Sequence, residues 1–326
     1  MIRIGIVGYG NVGRGAESAV LQCEDMVLTG IYTRRDPSSV HPFREDTPVL
    51  PVSCLTEGEA NADVLLLCGG SATDLPVQTP ALARRYCVVD TFDTHACIPE
   101  HFANVDAAAK AGKTAAIIST GWDPGLFALM RLLGTAVLPA GTGDTFWGPG
   151  VSQGHSDAVR RIEGVADARQ YTLPVQRTMN AVRKGESGFT AREKHTREVY
   201  VVLQEGADAQ QVARDIITMP HYFDEYDTTV HFISAEEMAA EHSAMPHGGF
   251  VIRSGKLGQQ RQYSSLMEFK LELDSNPMFT GAIMAAFGRA CFRLHEQGKS
   301  GCFTAFDIPL GFLSPLSAEE LRGKLL

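Results

Sequence analysis

The residues of this chain that could do chemistry together fall into three sets. The first, Gly8-Tyr9-Gly10-Asn11-Val12-Gly13, is a G-x-G-x-x-G turn directly behind the apolar run Ile2–Val7. In that setting the first glycine allows a tight turn and the second lets the backbone approach a pyrophosphate, while the third lets helix and strand pack closely. Phosphate then sits on the free N–H groups of a helix expected to start near Arg14. The second set, Thr33-Arg34-Arg35, ends the next predicted strand, Met26–Tyr32. NAD-specific sites usually carry an acid there for the ribose 2′-hydroxyl, whereas a hydroxyl followed by two guanidiniums suits a 2′-phosphate. The dinucleotide is therefore read as NADP. The third set is two acids, Asp93 and Asp123, each in a polar turn. Two carboxylates can hold a substrate amine against a nicotinamide and take up its proton. For Asp123 the alternative is an N-cap, with Pro124 in the first helical position. Asp90 reads as a structural hydrogen-bond acceptor.

The elements that must position these residues alternate strand and helix over the first 120 residues. After the first two strands come Ala62–Cys68, Cys87–Asp90 and Thr114–Thr120, short continuous apolar runs of the kind buried on both faces of a parallel sheet. Helical patterns separate them, the clearest being Ile98 to Ala111. Each strand runs into a turn: Cys68-Gly69-Gly70-Ser71 with Thr73 and Asp74, then Thr91-Phe92-Asp93, then Thr120-Gly121-Trp122-Asp123-Pro124-Gly125. Ligands bind outside the carboxyl ends of such strands, so these turns are expected to line the dinucleotide.

From about Asp144 the pattern changes. Glu198–Leu203, Thr228–Ser234 and Ser265–Leu273 approach period-two alternation, and long parallel crossovers are scarce, which predicts a mixed or antiparallel sheet with one covered face. The expected fold is thus α/β, a Rossmann-type doubly wound parallel sheet over 1–120 and an α+β substrate-binding and dimerisation domain over 121–289. A long helix, Met278 to Gln297, leads into a segment from about 290 to 326 that is expected to return to the first domain.

Within the second half, Phe146 to Asp157 is glycine-rich and leads into a helix with Ser156 or Asp157 as candidate cap. Glycines 148, 150 and 154 would present backbone N–H groups to a carboxylate. Trp147 is either a pocket wall or a core tryptophan. Arg197 starts a strand, and His247 lies beside two glycines; His155, His195 and His242 are weaker candidates.

Composition narrows the classes. The chain has 326 residues, 44% hydrophobic and 21% charged, with a formal charge of −9. This is ordinary for a globular enzyme and argues against nucleic-acid binding. No stretch reaches membrane-span length, and residues 1–7 already read as a strand, so no signal peptide is expected and the reading is cytoplasmic. The seven cysteines show neither C-x-x-C nor a histidine cluster at metal spacing, and no metal is expected.

Taken together these segments closely resemble the bacterial meso-diaminopimelate D-dehydrogenase family. The resemblance is carried by residues 7–11, 33–35 and 70–74, by Ser119–Gly125, and by the blocks 146–150 and 152–157. Arg160-Arg161-Ile162, Tyr171–Pro174, Met245–Gly249 and Asn276-Pro277 add to it, so that it spans nearly the whole chain. It implies a homodimeric enzyme of lysine biosynthesis. The reaction would be reversible NADP-dependent oxidative deamination of meso-2,6-diaminopimelate at its D-centre, giving L-2-amino-6-oxopimelate (which cyclises to tetrahydrodipicolinate), ammonia and NADPH. By the same resemblance Asp93 and Asp123 hold the reacting amine, Trp122 and Trp147 shape the pocket, and the Gln153-Gly154 backbone receives the nearby carboxylate. Thr172, Arg197, His247 and Asn276 are placed at the distal L-end, with Arg192 as the alternative to Arg197. Two other readings stay open: an NADP-dependent dehydrogenase of broader D-amino acids on this fold, and an NADP-binding sensor without turnover.

Overall fold

In the computed structural model, which describes residues 1–58 and 60–326, the strand-and-helix alternation begins at once. The elements are β1 (Ile2–Val7), α1 (Asn11–Leu21), β2 (Met26–Thr33), β3 (Val49–Pro51), α2 (Ser53–Glu57) and β4 (Val64–Leu67). They continue with α3 (Leu75–Ala83), β5 (Cys87–Asp90), α4 (Ile98–Gly112), β6 (Ala115–Ile117) and α5 (Leu126–Val137). Next come β7 (Thr142–Trp147), β8 (Gly150–Val151), α6 (Gln153–Arg160), β9 (Val165–Pro174), α7 (Gln176–Arg183), α8 (Ala191–Lys194) and β10 (His195–Leu203). The rest are α9 (Ala209–Ile217), β11 (Asp227–Phe232), α10 (Ala235–Glu241), β12 (His247–Leu257), β13 (Tyr263–Leu273), α11 (Asn276–Glu296), β14 (Gly301–Phe303) and α12 (Ala318–Leu325).

The chain divides into two units, 1–129 with 277–326, and 130–276. These limits fall inside α5 and at the start of α11, against 120/121 and about 290 read from sequence. The return begins earlier because α11 packs from its first turn. A Cβ at Gly15 of α1 would lie 2.2 Å from the carbonyl oxygen of Pro277, and one at Gly281 would lie 2.1 Å from the Gly15 carbonyl carbon. Only glycine lets the two helices touch this closely.

Among the described residues the first unit holds one parallel sheet, ordered β3-β2-β1-β4-β5-β6-β14. All four residues of β4 are buried, and alternate side chains feed two cores. Leu66, Ile4, Ile6, Val89 and Ile117 pack with Met284 and Phe287 of α11. Leu65, Leu67, Val88 and Ala116 pack with Val105 and Ala109 of α4. A continuous apolar strand is what two covered faces require. β6 stops at Ile117, short of the expected Thr120, because Ser119 takes φ +58° and so leaves the extended backbone of a strand.

The second unit has two sheets where one was expected: β11-β10-β9-β8, mixed, and β13-β12-β7, antiparallel. It also contains a parallel crossover, from β10 through α9 to β11. The Asp208 carboxylate caps α9 by accepting from Gln210 N and Gln211 N, and Val212 and Ile216 bury against Val199, Val201 and Phe223. Among the described residues no helix is long and apolar enough to cross a membrane.

Candidate active site

In the first unit the glycine turn connects β1 to α1. Gly8 adopts φ +88°, and a Cβ at Gly13 would lie 2.2 Å from Gly8 O, so this glycine is needed for packing. A Cβ at Gly10 would meet nothing within 4 Å. No neighbour demands glycine there, which fits a position kept bare for a ligand's approach. Gly10 is the residue before α1, which starts at Asn11, not near Arg14, and its end has neither a side-chain cap nor a first-turn acid. The positive dipole end of such a helix suits an anion. Tyr9 turns its ring inward to bond buried Glu17, while its carbonyl accepts from Arg35 Nη2 at 2.5 Å.

Thr33 is buried and its hydroxyl accepts from Arg35 N at 3.1 Å. Arg34 forks onto Asp74 (Nη1–Oδ1 and Nη2–Oδ2, both 2.9 Å), and Asp74 Oδ2 also accepts from Gly70 N at 2.9 Å. Asp74 therefore ties the basic pair to the turn after β4, a role the sequence reading did not assign. Ser71 carries the linkage on: its hydroxyl accepts from Asp93 N at 2.9 Å and lies 3.4 Å from Thr94 Oγ1. The half-buried Cys68 thiol lies 3.8 Å from Met284 Sδ, and desolvation pushes its pKa up to about 12, so it is a neutral packing group.

The two acids sit at the ends of β5 and β6. Asp93 is exposed; Asp123 is half-buried beside buried Trp122, whose ring meets Phe127 edge-on at 5.2 Å. Asp123 is not a helix cap, and Pro124 is not the first residue of a helix, because α5 starts at Leu126. Residues 121–125 instead close on themselves. Gly121 N donates to Pro124 O at 2.9 Å, and Gly121 O accepts from Leu126 N at 3.0 Å.

The second unit gathers the distal candidates. Arg197 and Thr172 are register partners on β10 and β9, and both are buried. Arg197 is 6% exposed, its Cζ lies 4.0 Å over the Tyr226 ring, and its Nε has no hydrogen-bond partner. Among the described residues no carboxylate forms an ion pair with it, and burial pulls its pKa below arginine's usual value. Arg192 instead reaches the surface pair Asp227 and Asp224 O. Burial, with Arg197's charge second, depresses His155 to about 4 and His195 to about 3; burial also lowers His247, opposed by its hydrogen bond with Gly248. His195 Nε2 accepts from Trp147 N at 2.9 Å, and the two rings stack at 5.4 Å. His247 Nδ1 accepts from Gly248 N at 2.8 Å. His242 faces away from this group, bonded to Tyr171 Oη at 2.8 Å.

The glycines of this region divide by role. A Cβ at Gly148 would lie 2.0 Å from Thr172 O, and one at Gly150 would lie 2.4 Å from His247 Cα. Both are packing glycines, and the Gly148 N–H is already used by Gly248 O at 2.8 Å. Gly154 is the open one, with nothing within 4 Å of a Cβ. It lies with Gln153 in the first turn of α6, which Ser152 precedes, not Ser156 or Asp157; Ser156 Oγ donates back to Ser152 O. Gln170 and Tyr226 are the neighbours that sequence reasoning missed. Gln170 had a signal: a polar residue on the inward period of β9, between buried Ala168 and Thr172. Asn276 opens α11, its N–H on Met245 O at 3.0 Å.

A parallel sheet in this order, with a bare glycine turn before α1, a basic pair after β2 and acids after β5 and β6, defines an oxidoreductase that uses a nicotinamide dinucleotide. Residues 121–275 match the model of the diaminopimelic acid dehydrogenase C-terminal domain. The chain is 56% identical over its full length to meso-diaminopimelate D-dehydrogenase of Ureibacillus thermosphaericus, covering 99% of that protein. Its structure is similar to DAP dehydrogenase of C. glutamicum in complex with DAP, at 44% identity and TM-score 0.92, covering 100% of this chain and 99% of that one. It is also similar to an engineered D-amino acid dehydrogenase bound to NADP+, at 42% identity and TM-score 0.87 over 100% and 99% of the two chains. The chain belongs to the meso-diaminopimelate D-dehydrogenase family.

Proposed function

We propose that this protein catalyses reversible oxidative deamination of meso-2,6-diaminopimelate at its D-centre, with NADP, in lysine biosynthesis. The observation that carries the reading is Arg197: a buried guanidinium with no counter-ion among the described residues, its Nη1 on a threonine hydroxyl and its Nε unpartnered. Such a charge is costly to bury unless a ligand anion meets it. A second carboxylate, far from the reacting carbon, is what distinguishes diaminopimelate from a simple D-amino acid.

The bound nicotinamide supplies the hydride acceptor. Asp93 and Asp123 hold the D-end ammonium and would take one of its protons, which frees the nitrogen lone pair to form a protonated imine once the carbon has lost hydride. Water adds to the imine carbon and ammonia leaves. Trp122 and Trp147 wall the reacting end, and the Gln153 and Gly154 N–H groups take the D-end carboxylate. Thr172, Arg197, His247 and Asn276 grip the L-end, and that grip orients the far carbon. Gly8, Tyr9, Gly10, Asn11, Val12 and Gly13 take the pyrophosphate. Thr33, Arg34 and Arg35 take the 2′-phosphate, and the turns at 68–73, 91–93 and 120–124 take the nicotinamide half.

The experiment is an absorbance assay of NADP reduction with separated isomers. Turnover is expected with the meso isomer and not with LL-diaminopimelate, and NAD should substitute poorly. Equal or better turnover of D-alanine would favour a broader D-amino-acid dehydrogenase. We read the enzyme further as a cytoplasmic homodimer, a state that would cover the exposed Leu132, Leu133 and Val137 of α5 and that sedimentation would test.

A further inference from the structure

We infer that Asp90 is the positioning residue that sets both acids of the proposed site, an inference that rests on the roles given above to Asp93 and Asp123. Asp90 is fully buried at the end of β5. Its Oδ1 accepts from Phe92 N at 3.1 Å and from Ser119 N at 2.9 Å. Phe92 precedes Asp93, and Ser119 begins the segment that leads to Asp123. Its main-chain oxygen accepts from Thr120 N at 2.9 Å and Thr120 Oγ1 at 2.7 Å. One residue therefore fixes both turns.

The other carboxylate oxygen is what keeps Asp90 in place. Oδ2 accepts from Thr79 Oγ1 at 2.8 Å and lies 2.7 Å from His101 Nε2. His101 is buried and stacks on Phe92 with ring centroids 4.1 Å apart and planes at 23°. Ser119, which Asp90 holds by its N–H, has φ +58°, an uncommon conformation for a residue with a side chain. A bond from a buried carboxylate stabilises such a conformation where packing alone would not. Four side-chain bonds satisfy this buried carboxylate, and two of them go to the backbones of two different turns, so satisfying Asp90 and placing both turns are one arrangement.

The test compares Asp90→Asn, His101→Leu and His101→Gln with wild type. The readouts are melting temperature, Kd for NADPH by fluorescence titration, and kcat and KM for meso-diaminopimelate. In Asp90→Asn, kcat should fall roughly 100-fold, the cost expected for displacing reacting groups by about an ångström. Folding should be retained, and any loss of NADPH affinity, to which the same two turns contribute, should be much smaller than the loss in kcat. His101→Leu should lose kcat in the same direction, and His101→Gln, which restores an N–H donor to Oδ2, should recover most of it. A folded Asp90→Asn with kcat within about threefold of wild type, an effect too small for misplaced acids, overturns the inference. If Asp90→Asn does not fold, the histidine pair decides: loss in Leu with recovery in Gln supports the inference, and equal kcat in both overturns it. Asp123→Asn separates this from the broader reading. If it turns over normally, the roles of the acids are wrong; if it is inactive while Asp90→Asn is not, only the positioning role of Asp90 is wrong.

Discussion

Arg197 and Thr172 stand opposite each other across β10 and β9, and the guanidinium Nη1 donates to the hydroxyl oxygen. Gln170 Nε2 donates to the same oxygen at 3.3 Å. A hydroxyl has two lone pairs and one proton, so two incoming donors leave the Thr172 O–H free to donate elsewhere. With the unpartnered Arg197 Nε, the pair offers two buried donors and no acceptor. A carboxylate is the ligand that such a pair fits.

Arg197→Ala should therefore raise KM for meso-diaminopimelate about 10- to 100-fold, the range for loss of one or two charge-assisted bonds. Any activity on D-alanine, which has no second carboxylate, should be spared. Steady-state kinetics on both substrates checks this, and an unchanged KM for diaminopimelate removes Arg197 from the substrate.

Replacing Arg34 with Asp and Arg35 with Ser should weaken NADP by about 100-fold and NAD far less, since only NADP carries the 2′-phosphate. Folding should survive, because Arg34 is 70% exposed and such an ion pair contributes about 0–1 kcal/mol. Calorimetric Kd values for NADP, NAD and 2′,5′-ADP decide it; equal losses for NADP and NAD contradict the phosphate reading.

The parallel sheet was legible because its signal is local. Val64–Leu67 is apolar without interruption, and a strand buried on both faces has no other composition available. The division of the second unit into two sheets was not legible, since period-two alternation shows which face of a strand is buried but not its neighbour. The crossover through α9 was hidden because only Val212 and Ile216 of its nine residues are buried. Glycines misled for a related reason. Gly148, Gly150 and Gly154 look alike in sequence, yet the first two lack a side chain because Thr172 and His247 occupy the space, and only the third is open. Asp123 carried a capping signal with Pro124, and the hydrogen bonds that close residues 121–125 override it. Asp74 was visible in the turn after β4, but its bond to Arg34 links positions 40 residues apart and no local pattern announces it.

Asp123→Asn separates chemistry from architecture more cleanly now that α5 starts at Leu126. Loss of one charge at this position should leave folding and NADPH binding intact while kcat falls about 10²- to 10⁴-fold, the range for removing a general base. Melting curves, fluorescence titration and kcat together check this. Retained turnover would leave Asp93 as the sole acid.

His195 and His155 give the acid limb of stability a specific origin. Both are held neutral by burial, at about 3 and about 4, whereas in the unfolded chain a histidine titrates near 6.5. Above that value neither state binds the proton and the full stability is present. As the pH falls from about 6.5 towards 4 the unfolded chain takes up protons that the folded chain refuses, so stability is lost across this window. In His195→Gln a side-chain oxygen can still accept from Trp147 N, but nothing titrates there. The wild-type melting temperature should fall more steeply between pH 7 and 4.5 than that of the variant, by a few degrees over the range. Parallel curves would show that His195 takes up its proton as readily folded as unfolded.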